Sequence, residues 1–251
     1  MFGFHGIGLP VASAAPASFS PIILQNLLGW WDSAALSALS QDANGATPVA
    51  ANGNPIGRWM DIGGAGTHAT QANGSAKPTY ATNAQNGLPA PSFDGGDYLD
   101  TAATVNQNSI TIFAVIKTGT LAGTFRGIFS AAHNVNGGIS LLSHGSNKLA
   151  VFSGGSYLQD ANVLASDTAY CVACTHDGVT RNLYRDGVLV GTQAQALGSV
   201  TNIMRIGALY VNSTSLMWNG YIPEVAIYSR ALGSAELTQL FNYGRAKYNT
   251  A

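Results

Sequence analysis

Residues 109–118 carry two interleaved apolar rows. Ile110, Ile112, Ala114 and Ile116 fall on one face of an extended chain; Phe113 and Val115 fall on the other with Thr111 and Lys117. Apolar residues on both faces predict a strand central to a two-layer sandwich. Shorter strand-like runs follow the same habit at residues 58–61, 127–130, 139–143, 148–152, 170–176, 182–185, 188–192, 204–208 and 220–228. Two more short strands are predicted around Gly95-Gly96 within residues 92–99. Turn dipeptides punctuate the first third, at Asn44-Gly45, Asn52-Gly53 and Asn73-Gly74. Asp186-Gly187 predicts a tight hairpin, because a type I′ turn needs two residues that tolerate positive φ.

One segment changes period. Leu237, Leu240, Phe241, Gly244 and Tyr248 recur at helical spacing, after Gly233-Ser234 as cap. Glu236 lies in the first turn and Arg245 and Lys247 in the last, each where the helix dipole favours its charge. Leu232 and Leu237 occupy the two positions of a hydrophobic staple. Many strands and one terminal helix, without strand–helix alternation, predict an all-β, two-sheet antiparallel jelly-roll sandwich with a short C-terminal helix.

The first 25 residues read as an N-terminal arm and residues 26–251 as the folded domain. The arm is rich in Gly, Ala, Ser and Pro, with Phe2, Phe4, Ile7, Leu9 and Phe19 as its apolar contacts. It lacks the Lys or Arg of a leader's first region, and Pro10 splits its apolar run. No apolar run is long enough to span a membrane. The two cysteines, Cys171 and Cys174, are three apart on a predicted strand and therefore point to opposite faces. With no second ligand pair they read as core thiols rather than a zinc site.

Composition sharpens the picture by exclusion. Charged residues make up 9% of the 251, and twelve acids against eleven bases leave a net charge of −1. There is no basic surplus for a phosphate backbone, so no nucleic-acid partner is expected. The 46% hydrophobic content supports a sizeable core and argues against disorder.

Four motifs, in order, carry a family resemblance. They are Leu28-Gly29-Trp30-Trp31-Asp32-Ser33; Arg58-Trp59-Met60-Asp61-Ile62-Gly63-Gly64-Ala65-Gly66 with His68-Ala69-Thr70-Gln71; Pro91-Ser92-Phe93-Asp94-Gly95 with Asp97-Tyr98-Leu99; and the closing run from Gly220 through Glu224 and Arg230 to Leu232. Together they span residues 28–249 with the helix. The chain resembles the laminin-G-like, concanavalin-A-like jelly-roll superfamily, in the form found in bacteriophage virion proteins. Gly64 stands where that pattern usually has Ser. The resemblance implies a fold shared by sugar binders, calcium-dependent adhesion modules, glycosidases, lyases and structural modules, so it does not settle function.

Candidate chemistry is sparse. Glycoside hydrolysis usually needs two carboxyl groups flanking the bond, and similar β-glucan-cleaving jelly rolls carry E-x-D-x-x-E on one strand. This chain has two Glu only, Glu224 and Glu236. Glu224 reads as the structural partner of Arg230, and Glu236 as a helix cap. The five His show no metal-ligand or catalytic spacing. Asp94 and Asp97, with Asp100 nearby, form a weak calcium candidate, and equally read as turn formers. For sugar contact the candidates are Tyr210, Asn212, Trp218 and Asn219, with Trp218 also readable as core. Trp30, Trp31 and Trp59 read as core anchors and Asp61 as structural.

These readings predict a non-enzymatic structural component of a bacteriophage virion, assembled in the host cytoplasm and anchored partly by its arm. Its expected partners are other virion proteins and copies of itself. The alternative is a carbohydrate-binding adhesion module, possible calcium included, with a host-surface glycan as partner. A glycosidase or lyase ranks third.

Overall fold

The computed structural model describes residues 19–105, 108–131, 138–197, 202–209 and 216–250. Among them, seventeen strands form two antiparallel sheets. The eight-stranded sheet runs, edge to edge, β15 (Val188–Ala194), β14 (Thr180–Arg185), β13 (Ala169–His176), β8 (Ile110–Thr118), β17 (Asn219–Tyr228), β6 (Leu88–Asp94) and β5 (Thr79–Gln85). Its eighth member, β1 (Leu27–Asp32), also pairs with β17. The nine-stranded sheet runs β12 (Ser156–Val163), β11 (Lys148–Ser153), β10 (Ile139–Ser143), β9 (Arg126–Ala131), β16 (Asn202–Ile206), β7 (Leu99–Val105), β4 (Ala69–Thr70), β3 (Arg58–Trp59) and β2 (Leu39–Ser40).

The doubly apolar strand is β8, and it lies between β13 and β17 in the middle of its sheet. Its two rows serve two cores. Ile110, Ile112, Ala114 and Ile116 join the inter-sheet core with Trp31, Trp59, Phe93 and Phe129. Phe113 and Val115 face outward and are covered by the helix α1 (Ser234–Tyr248), through Leu237, Leu240 and Phe241. Burying each such side chain stabilises the fold by about 1.5–3 kcal/mol. The same alternation separates the cysteines: Cys174 lies in the inter-sheet core and Cys171 under the helix.

Local signals act as the residues require. Asp186 and Gly187 take φ of 50° and 82°, closing the β14–β15 hairpin. The strands flanking Gly95-Gly96 are present, but β6 and β7 belong to different sheets, so that turn is a crossover between layers. The helix begins with Glu236 Oε2 accepting the Gly233 N–H at 3.0 Å, and Leu232 and Leu237 share one cluster. All five residues of the predicted helical face are buried.

Asp61 is structural. Its carboxylate accepts the N–H groups of Trp30 (2.9 Å), Gly63 (2.8 Å) and Thr67 (3.2 Å), tying the glycine-rich turn to β1. Trp31 and Trp59 are fully buried, whereas Trp30 is half-buried and donates its indole N–H to Glu224 Oε1 at 2.7 Å.

The expected Glu224–Arg230 pair does not form. Glu224 is wholly buried and meets Lys247 Nζ at 2.8 Å, with Tyr243 and Tyr248 hydroxyls each at 2.9 Å. Arg230 instead holds Glu236, Nη1 to Oε2 at 2.8 Å. The reason is register. A break in pairing between Tyr221 and Glu224, at Pro223, shifts the alternation of β17. Ile222, Val225 and Ile227 enter the inter-sheet core, while Glu224 sits on the helix side near Ala226 and Tyr228. Arg230 lies beyond the strand, where Glu236 in the first helical turn is its neighbour.

Candidate functional site

Three strand ends create a cleft of about 440 Å³. β6 ends at Asp94, β8 ends at Thr118 and β17 begins at Asn219. Ser92 and Asp94 line it from the first, Thr118 and Thr120 from the second, and Asn219 and Tyr221 from the third. Ser166 and Asp167 close it from the loop before β13. The strands meet this tightly because of Gly220. Its φ is 129°, and a Cβ there would lie 2.2 Å from the Lys117 carbonyl oxygen.

Hydrogen bonds fix the walls. Asn219 Nδ2 donates to the Asp94 carbonyl at 3.0 Å, and Asp94 Oδ1 accepts the Gly96 N–H at 2.7 Å. Thr118 Oγ1 donates to the Ala165 carbonyl at 2.7 Å and anchors the loop carrying Ser166 and Asp167. Lys117 Nζ lies 3.0 Å from Asp167 Oδ1 and 5.9 Å from the centre of the Tyr221 ring. Tyr221 is half-buried and supplies an aromatic surface beside amide, hydroxyl and carboxylate groups. This mixture suits a polyhydroxylated ligand.

Behind the cleft, Asp97 Oδ2 accepts the Asp94 N–H at 3.0 Å. Burial pushes the Asp97 carboxyl up to about 7; the Asp94 N–H works against that and the Asp94 charge adds to it.

The structure brings Asn219 and Asp94 together, with Asp97 bonded to Asp94, and sets Trp218 apart in the core. Trp218 is fully buried in the inter-sheet core, so its indole presents no face to a sugar; the reading of it as a ligand contact is corrected. Tyr210 and Asn212 lie outside the described residues, as do Phe2, Phe4, Ile7 and Leu9 of the arm. Phe19, the remaining arm residue, packs edge-on against Tyr243 of α1, ring centres 5.8 Å apart. Asp94 and Asp97 both bind backbone N–H groups of their own turn, and Asp100 pairs with Arg205 at 2.6 Å. Among the described residues no three His, Cys, Asp or Glu gather as metal ligands.

Asp167 and Thr120 were not singled out from the sequence, and Ser92 and Tyr221 stood there only within family motifs, with no site role. Tyr221 alone carried a signal there, as an aromatic just before Ile222 in the closing strand.

A second aromatic surface lies on the nine-stranded sheet. Phe125 and His144 ring centres are 4.4 Å apart, His144 and Tyr157 5.1 Å, and Phe152 and Tyr157 5.0 Å. Leu209 and Leu216, which flank residues 210–215, pack in the same cluster. Burial, aided by Lys148, holds the His144 imidazole below its usual value.

The chain belongs to the concanavalin A-like lectin/glucanases superfamily, whose laminin-G family model matches residues 93–238. Among curated proteins no sequence match is found. Among solved structures, domain 4 of the extracellular GH43 arabinanase of Geobacillus stearothermophilus, in complex with arabinotriose, superposes with a TM-score of 0.62 at 17% identity, covering 86% of this chain and 98% of that domain. The sialidase of Trypanosoma rangeli superposes with a TM-score of 0.62 at 17% identity over 96% of this chain, which spans 36% of the sialidase's length. At these identities the likeness is one of fold.

Membership corrects one expectation. The sequence reading predicted a non-enzymatic protein, with a glycosidase or lyase ranked third for want of a carboxylate pair. The superfamily includes glucanases as well as lectins. Hydrolysis of a glycoside is therefore within the range of this fold.

Proposed function

We propose that this chain binds carbohydrate in the cleft between β6, β8 and β17. One observation carries the reading: four segments converge to set the Tyr221 ring beside Asp94, Asn219, Thr120 and Asp167 in a concavity of about 440 Å³. A ring to cover a sugar's apolar face, with polar groups around it for the hydroxyls, is the chemistry of saccharide recognition. Membership of a superfamily of lectins and glucanases supports it, and so does the likeness to an arabinanase domain solved with arabinotriose.

Calorimetric titration with oligosaccharides chosen from a glycan array tests the reading. Tyr221→Ala weakens the wild-type affinity about tenfold, equivalent to about 1.4 kcal/mol, without unfolding the chain. Unchanged affinity in that variant would remove the cleft from the account.

Neither the fold nor the comparisons bear on a bacteriophage particle, and glycan binding has the better support. A virion setting, with an arm reaching other virion proteins or further copies of the chain, is tested separately by mass spectrometry of the purified native assembly.

A further inference from the structure

We infer that the cleft takes neutral or amino-bearing sugars and rejects acidic ones. The inference rests on the carbohydrate reading and concerns the same site.

The argument is one of charge and of hydrogen-bond roles. Two carboxylates line the cleft, Asp94 and Asp167, and no Lys or Arg does. The nearest cation, Lys117, is already held by Asp167 at 3.0 Å. Arg126 approaches Gly95 from outside the lining, and its Nη1 donates to the Met217 carbonyl at 3.1 Å. Behind Asp94 lies Asp97; its carboxyl, pushed up to about 7 by burial, is hydrogen-bonded to the Asp94 backbone and side chain and adds no cation.

A sugar carboxylate needs charged or N–H donors, preferably paired. Here the donors are hydroxyls and the Asn219 amide, one of whose two N–H groups already goes to the Asp94 carbonyl. Sugar hydroxyls and ammonium groups are donors, and the cleft offers them acceptors. Asp94 Oδ1 takes the Gly96 N–H, and the carboxylate lines the cleft. Asp167 is largely exposed, at 83% of its side chain, and one of its oxygens is free of Lys117. An anionic sugar would face both carboxylates, with one cation nearby, Lys117, already paired to Asp167.

The test uses the full chain on an array of neutral, amino-bearing and carboxylated oligosaccharides, at pH 6 so that glucosamine residues are charged. Calorimetry follows on the best of each class. Amino-bearing ligands should bind at least as tightly as neutral ones, and carboxylated ones at least tenfold more weakly. In Asp94→Asn/Asp167→Asn amino-bearing ligands should bind no more tightly than neutral ones. Lys117, freed of its partner, should then admit acidic sugars. Acidic sugars bound by the wild type as tightly as neutral ones would overturn the inference and leave the carbohydrate reading intact. Binding in no class would overturn both.

Discussion

Lys247 Nζ lies 2.8 Å from Glu224 Oε2, and this contact fastens the C-terminal helix to the closing strand. The same ammonium also meets Asp32 Oδ2 at 2.6 Å, so one cation serves two carboxylates on neighbouring strands. Glu224 is fully buried, and its charge is tolerable because a cation and three neutral donors converge on it.

Removing the cation strands both carboxylates. Lys247→Met should cost about 3–5 kcal/mol in urea unfolding, the range for breaking a buried pair. The Glu224→Gln/Lys247→Met double variant should cost less than the two singles summed. Burial raises the Glu224 carboxyl and Lys247 lowers it. Without Lys247 the carboxyl titrates higher still in the folded state. The folded variant then holds its proton beyond the unfolded value, and stability falls as pH rises through that interval. The loss on Lys247→Met should therefore grow as pH rises above the range in which the wild-type carboxyl itself titrates.

Asp97 gives a second pH signature. Its carboxyl rises from 3.8 to about 7 on folding, chiefly through burial. The folded chain then binds more protons than the unfolded chain between those values. Stability from this group is full below the unfolded value and is lost as pH rises toward 7. Asp97→Asn keeps an acceptor for the Asp94 N–H and cannot ionise. Thermal melts should show it more stable than wild type at pH 8 and equal at pH 4.

Gly244 sits where the helix meets the sheet. A Cβ there would fall 2.6 Å from Cys171 Sγ and 3.1 Å from Phe113 Cζ. Gly244→Ala gains about 1 kcal/mol of helix propensity, but overpacking costs about 1–3 kcal/mol. The clash should win, with a net loss of stability by chemical denaturation. Cys171→Ala should relieve it.

Burial pushes both Cys171 and Cys174 thiols up to about 12. Iodoacetamide at pH 8 should leave both unmodified in the native chain and label both after denaturation, read by intact mass. Rapid labelling of either in the native state would show that its site opens.

Much of the fold was legible because its signals are local. The helical face from Leu237 to Tyr248 and the Asp186-Gly187 turn depend on residues adjacent in sequence. Strands β2, β4, β5 and β12 were not legible. β12 is an edge strand with half of its residues exposed and a single one buried, so it carries no apolar alternation to declare it. β5 is irregularly paired and mixed in polarity. Glu224 was assigned to the nearest arginine in sequence, whereas the shift at Pro223 turns it toward a lysine 23 residues along the chain. Nor was the cleft legible, since Ser92, Thr120, Asp167 and Tyr221 become neighbours only when three strands end together. Asn219 and Asp94 were found, but for separate roles, and Trp218 drew attention that its buried position does not support.

The central claim is that sugar occupies the cleft, and chemical-shift mapping on the labelled full chain tests it most directly. Titration with the best oligosaccharide from the array should move the amide signals of Asp94, Gly119, Thr120, Asp167, Asn219 and Tyr221, leaving those of Phe125, His144 and Tyr157 in place. Shifts confined to the aromatic cluster on the nine-stranded sheet would contradict the account.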